Sequence, residues 1–201
     1  MKILGHSFIN RKGAFLNGKE VVSCPENEAK FLRHIYKALE VNYPKFYKMD
    51  TLSKSVILAD FILSPTYTDL TEQEDKLQLL FANDESSKRT DLSFIESYVP
   101  KEAASPSLFV YTLPNILTGE LSIKHKWYGE NTFFILDKFN AEFYLEQIRM
   151  SFSRGNEYCL CGWIGSVDKK NEECFLFLLS KSEGEVTFNE LENILNTYRN
   201  E

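Results

Sequence analysis

Histidine is scarce in this chain: His6, His34 and His125 are the three in 201 residues, and none follows position 125. Chemistry that needs a histidine pair late in the chain therefore has nothing to draw on there. The four cysteines, Cys24, Cys159, Cys161 and Cys174, form no Cys-x-x-Cys pair and have no histidine at ligand spacing. They read as buried thiols of a reducing compartment, with no metal site expected. No apolar run approaches the ~18 residues of a membrane span. The Met1–Gly5 start carries neither a charged-then-apolar leader nor a small-residue cleavage site, so a cytoplasmic protein is expected. Phosphate loops, Gly-x-Gly-x-x-Gly and Gly-x-Ser-x-Gly elbows do not occur, and no motif implies a cofactor. Lys and Arg, 23 against 29 Asp and Glu, give net charge −6 without a strongly basic run, which argues against a nucleic-acid partner.

What is present suits one cored domain over residues 1–201, with 43% apolar and 26% charged side chains. Lys2 to Phe8 reads as a strand, followed by a polar loop through Gly18 and a short run, Val21 to Cys24. Phe31, Leu32, Ile35, Tyr36 and Leu39 recur at three- and four-residue steps and predict a helix from Asn27 to Glu40. Asp50 is placed to cap a second helix that Pro65 stops. Lys76 to Ala82 reads as a central strand, Asp91 to Val99 as a helix ended by Pro100. A segment capped by Ser105 or Ser107 runs to Lys126, with Pro114 as an anomaly inside it.

Thr132 to Leu136 then reads as a strand and Asn140 as the cap of a helix that Gly155 ends. Two strands follow, Glu157 to Ile164 and Cys174 to Leu179, joined by a Gly165–Glu173 loop. Thr187-Phe-Asn-Glu190 has the capping-box form and opens a terminal helix. This alternation predicts an α/β fold, a mixed and mostly parallel sheet with helices on both faces.

Two segments stand out. Asn42 to Asp50 is densely polar and serves either as loop plus cap or as a binding loop. Pro106 to Glu120 mixes small, polar and aromatic residues, as in a crowded interface, a pocket or plain core packing. Together with their neighbours they resemble the β-ketoacyl-acyl carrier protein synthases. Lys48-Met49-Asp50 is similar to the basic segment that opens an early helix in that family, and Ser107 to Gly119, with Asn115, to its small-residue segment. Tyr128-Gly129 and the strand Thr132–Leu136 resemble the segment leading to the family's acyl-accepting Cys. Asn140–Ser153, Gly155 to Tyr158 and Cys159–Trp163 resemble the helix, turn and strand after it, with no gap between Gly129 and Gly155.

At the nucleophile position this chain has Lys138. An amine forms a stable amide rather than a transferable thioester, so the resemblance implies the N-terminal half of a thiolase-like condensing enzyme without its catalytic residue. The family takes its histidines from its second half, and this chain ends near where that half begins. The resemblance thus implies a catalytically silent ketosynthase-like protein, a partner or scaffold in fatty-acid or polyketide-type, aryl-polyene-like biosynthesis. Its expected partners are an active full-length ketosynthase, in a homo- or heterodimer, and an acyl carrier protein. Substrate or interface candidates are Thr112, Asn115, Phe133, Phe134, Lys138 and Phe139. A divergent synthase completed by another chain, and an acyl-binding module suggested by 16 Phe, are the alternatives.

Overall fold

The computed structural model describes residues 1–67, 70, 75–99, 103–165 and 172–200. Its centre is a seven-stranded sheet in the order β3-β2-β1-β7-β6-β4-β5. The strands are β1 (Lys2–Ile9), β2 (Gly13–Leu16), β3 (Lys19–Ser23), β4 (Leu77–Asn83), β5 (Asn131–Ile135), β6 (Tyr158–Ile164) and β7 (Cys174–Ser180). β4, β6 and β7 are almost wholly buried, as their unbroken apolar runs require of strands covered on both faces. The sheet is mixed but not mostly parallel as expected: β4 is parallel to β5 and β6, whereas β1–β7 is antiparallel, and so are β1–β2, β2–β3 and β6–β7, because strands that follow one another without a crossover helix pair that way.

The expected polar loop before Gly18 is instead half of a hairpin. Asn17 and Gly18 both take positive φ, 49° and 80°, which is the geometry a tight two-residue turn between twisted strands demands. Gly13 opens β2 because a Cβ there would lie 2.2 Å from the Val22 carbonyl oxygen.

The helices are α1 (Phe31–Ala38), α2 (Thr51–Leu63), α3 (Lys88–Tyr98), α4 (Pro106–Val110), α5 (Ile116–His125), α6 (Ala141–Ser153) and α7 (Phe188–Asn200). α1 is shorter than its apolar spacing predicts, because Asn27 and Glu40 sit in left-handed conformations that a helix cannot pass through. Pro114 splits the long segment into α4 and α5, having no N–H to give and a ring that crowds the preceding turn. The predicted caps hold: Asp50 accepts from Ser53 N at 2.9 Å, Asn140 from Phe143 N at 2.9 Å, and Thr187 Oγ1 from Glu190 N at 3.2 Å. Pro100 and most of the Gly165–Glu173 loop lie outside the described residues.

One face of the sheet carries an apolar cluster with α1, α2 and α5, and the other a cluster with α6 and α7. Cys159 and Cys161 point together into the second cluster, as two residues of one strand face must. α2 is buried nearly all round and carries the fully buried Asp60. Three groups satisfy that carboxylate: Lys124 Nζ at 2.7 Å, His125 Nε2 at 2.8 Å and the Tyr67 hydroxyl at 2.8 Å. His125 also stacks on Trp127, and Lys124 lies 4.0 Å above the Phe61 ring. Burial by itself would raise the Asp60 pKa, but the His125 and Lys124 interactions outweigh it and hold the carboxyl below its ordinary range. This network locks α5 onto the central helix.

Candidate functional site

The parallel strands β4, β5 and β6 end on the same side of the sheet, the end at which α/β sheets hold their ligands. The chain leaves β5 through Leu136–Phe139 and enters α6, which puts Lys138 two residues before the N-cap Asn140. Here the helix dipole favours an anion, such as a thiolate, over a cation. Lys138 answers by staying exposed, on the rim of a cleft of about 600 Å³.

That cleft carries charges of both signs around an aromatic floor. Its cations are Arg11, Lys12, Lys138 and Arg199, and its carboxylates Asp84, Asp137, Glu172 and Glu173. Glu173 is fixed by Trp163 Nε1 at 3.0 Å and by Arg199, while Glu172 is shared by Arg89 at 2.7 Å and Arg11 at 3.3 Å. Asp84 is pushed up, first by burial and then by its carboxylate neighbours, and its Oδ1 is buried without a hydrogen-bond partner among the described residues. None of the described lining residues is a Cys, Ser or His.

The histidines and thiols are engaged elsewhere. His6 bonds the Tyr198 hydroxyl at 2.7 Å, His34 the Ser23 carbonyl, and His125 the Asp60 carboxylate. All four cysteines are buried, and burial raises each thiol, Cys24 to about 11 and Cys159 to about 12. Such thiols are inert at neutral pH.

The other sequence candidates fall in three places. Phe139 is 8% exposed and belongs to an aromatic cluster with Tyr144, Trp163 and Phe175, so it forms the floor of the cleft. Phe133 and Phe134 are half-buried on opposite faces of β5, the first on the α2 side and the second against Phe143. Thr112 and Asn115 lie in the α4–α5 turn, away from Lys138. The Thr112 carbonyl accepts from Ser87 Oγ at 2.6 Å, and the exposed Asn115 takes the N-cap position of α5 without a side-chain cap bond. The structure thus joins Lys138 and Phe139 in one cleft and leaves the other four at a sheet edge and a turn. Sequence reasoning passed over Arg11, Arg89, Glu172, Glu173 and Arg199; they meet only through folding, and the Arg11-Lys12 pair before Gly13 was the one local signal.

β5 is itself the end of the sheet, bonded to β4 on one side. It has neither Lys nor Pro to blunt it, and Ile135 is 60% exposed. Such an edge is ready to accept another strand.

No family model and no curated protein sequence matches this chain. Solved structures do. A ketosynthase in complex with its chain length factor from Xenorhabdus doucetiae aligns over 91% of this chain and 79% of the other, with TM-score 0.62 and 11% identity. The fold is thiolase-like. The same thiolase-like architecture appears in a type II polyketide synthase acyl-carrier protein complex with its ketosynthase, at TM-score 0.65 and 14% identity over 89% of this chain and 62% of that one. The ishigamide ketosynthase/chain length factor gives TM-score 0.63 and 15% identity over 91% of this chain and 62% of that one. This chain therefore spans less than two thirds of those two thiolase-like chains. Among the described residues no helix is long and apolar enough to cross a membrane.

Proposed function

We propose that residues 1–201 act as one catalytically silent ketosynthase-like domain. It pairs with an active ketosynthase in fatty-acid or polyketide-type, aryl-polyene-like biosynthesis in the cytoplasm and works beside an acyl carrier protein. The observation that carries this reading is the combination of the thiolase-like framework with Lys138 in the β5–α6 turn, beside a cleft whose described lining has no Cys, Ser or His. A dead subunit retains its fold when the fold itself is what a partner reads. The β5 edge, unpaired on one side among the described residues, supports pairing, and so does the apolar exposure on the α3–α4 helix pair. Leu92, Ile95 and Val99 form one exposed stripe on α3, and Phe109, Val110 and Leu113 are exposed in and just after α4. Clustered apolar exposure of this kind is what interaction surfaces show.

An independent acyl-binding module is less well supported. The cavity lined by Asp50 and Cys174 holds about 30 Å³, room for about two water molecules, and the clefts of about 600 and 670 Å³ carry charged side chains that an acyl chain does not call for.

Sedimentation of the chain alone and with an active full-length ketosynthase tests the proposal. At roughly tens of micromolar a stable pair is expected, and Ile135→Lys with Phe134→Lys should abolish it, since charges on an edge strand oppose pairing. A strict monomer under both conditions, with no carrier protein co-purifying, sinks the reading. Lys138→Ala should leave the pair and the melting temperature unchanged. Acyl- and malonyl-carrier substrates should yield neither a protein adduct nor carbon dioxide from this chain; either product would instead favour a divergent synthase.

A further inference from the structure

A second cleft, of about 670 Å³, opens between the start of α1 and the start of α2, and its charge runs against that of the molecule. The chain is net −6, yet the described residues lining this cleft include Arg11, Lys30, Arg33, Lys54 and Arg89 against one carboxylate, Glu172. Three of the five cations lie over ring faces, and of these Arg11 is also paired with Glu172. Arg11 lies 5.3 Å from the Phe31 ring centre, Arg33 5.6 Å from that of Tyr47, and Lys54 5.8 Å from that of Phe46. Ring faces orient a cation without neutralising it, so these charges remain available to a ligand.

Glu172 is divided between two guanidiniums, 2.7 Å from Arg89 and 3.3 Å from Arg11, and the Arg11 Nε is buried without a hydrogen-bond partner among the described residues. α1 opens into the same cleft with no side-chain cap and no acid in its first turn, so its amide dipoles add to the positive field. Paired guanidinium forks match the oxygens of a tetrahedral oxyanion better than a single carboxylate satisfies them. A concave lining of five cations and one carboxylate also concentrates a small anion from solution.

We propose that this cleft binds a phosphate group, which takes over Arg11 and Arg89 from Glu172 while Lys30, Arg33 and Lys54 close on it from the α1 and α2 side. The group comes either as free phosphate or as a phosphomonoester of a small molecule. The acidic remainder of the surface repels a long polyanion, and the confined cleft suits a small one. This inference uses neither the β5 edge nor Lys138, and it stands or falls separately from the proposed partnership.

Calorimetric titration of the full chain with inorganic phosphate, and in parallel with glycerol 3-phosphate, tests it. One-to-one binding at about 1 mM or tighter is expected at low ionic strength, weakening with added salt as screening grows. Arg89→Gln should weaken binding at least about tenfold, the loss of one charge-assisted fork. Glu172→Gln should strengthen it, since the competing carboxylate is removed. Should either variant fail to fold, the surface changes Lys30→Gln and Arg33→Gln carry the same expectation of weakening. Tighter binding of glycerol 3-phosphate assigns the site to a phosphomonoester, and equal binding assigns it to phosphate itself. Two results overturn the proposal: no saturable binding by the folded protein, or an equal loss of affinity from Lys138→Gln in the other cleft.

Discussion

Replacing Asp60 by Ala is expected to destabilise the protein by about 3–5 kcal/mol, the range for removing one partner of a buried charge network. The reason is what remains. Asp60 has no exposed surface, and the Lys124 side chain beside it is 12% exposed. Without the carboxylate, Lys124 is a nearly buried ammonium with its acid gone, and the buried Tyr67 hydroxyl and His125 Nε2 each lose an acceptor. At roughly 2–4 °C per kcal/mol for a domain of this size, thermal unfolding should fall by about 6–20 °C. Asp60→Asn, which keeps an acceptor oxygen, should cost less.

The same carboxylate sets an acid limit. Its folded pKa lies below the ordinary value, so its stabilisation is fully present above the unfolded pKa of about 3.9 and is lost as pH falls through the lower folded value. Denaturant midpoints of the native chain should therefore drop steeply below about pH 4. In Asp60→Asn this part of the acid dependence should be absent. An unchanged acid profile would show that the network does not govern acid stability.

The second large effect is expected from Gly129→Ala. Gly129 precedes β5 and passes so close to β4 that a Cβ would lie 2.1 Å from the Leu77 carbonyl oxygen. Backbone cannot step aside as a flexible side-chain tip can, so the methyl group must lift the start of β5 away from β4. The adjacent bond from Leu79 N to the Glu130 carbonyl, 2.8 Å long, lies in the path of that shift. Overpacking of this kind costs about 1–3 kcal/mol and occasionally more, and displacement of the edge strand should also weaken partner binding. Gly119→Ala serves as the control, because a Cβ there meets nothing within 4 Å. Chemical unfolding and sedimentation of the two variants should diverge sharply; equal behaviour would mean that the β4–β5 contact tolerates an added methyl.

Much of the fold could be read before any coordinates because it rests on local chemistry. Asp50, Asn140 and Thr187 cap helices by bonds that reach three residues, and the run Leu77 to Ala82 announces a strand covered on both faces. The β2–β3 hairpin was also legible in Asn17-Gly18, the dipeptide that tolerates positive φ at both turn positions, but the flanking polar residues hid it. Boundaries were less legible. α1 stops where Asn27 and Glu40 turn left-handed, a choice made by the segments on either side rather than by apolar spacing.

The candidate site divides in the same way. Lys138 and Phe139 could be placed from sequence because the turn between β5 and α6 is a local feature, fixed by the strand's end and the Asn140 cap. By itself the sequence determined the helix caps, the buried central strands, the scarcity of histidine and the lysine in the turn between β5 and α6, since each depends on residue type and near neighbours. Only the tertiary structure decided that β5 ends the sheet, that Asp60 gathers Lys124, His125 and Tyr67, and that five cations from four separate stretches of chain share one cleft. Strand order, charge burial and the convergence of distant side chains arise from how layers pack, and no local pattern encodes them.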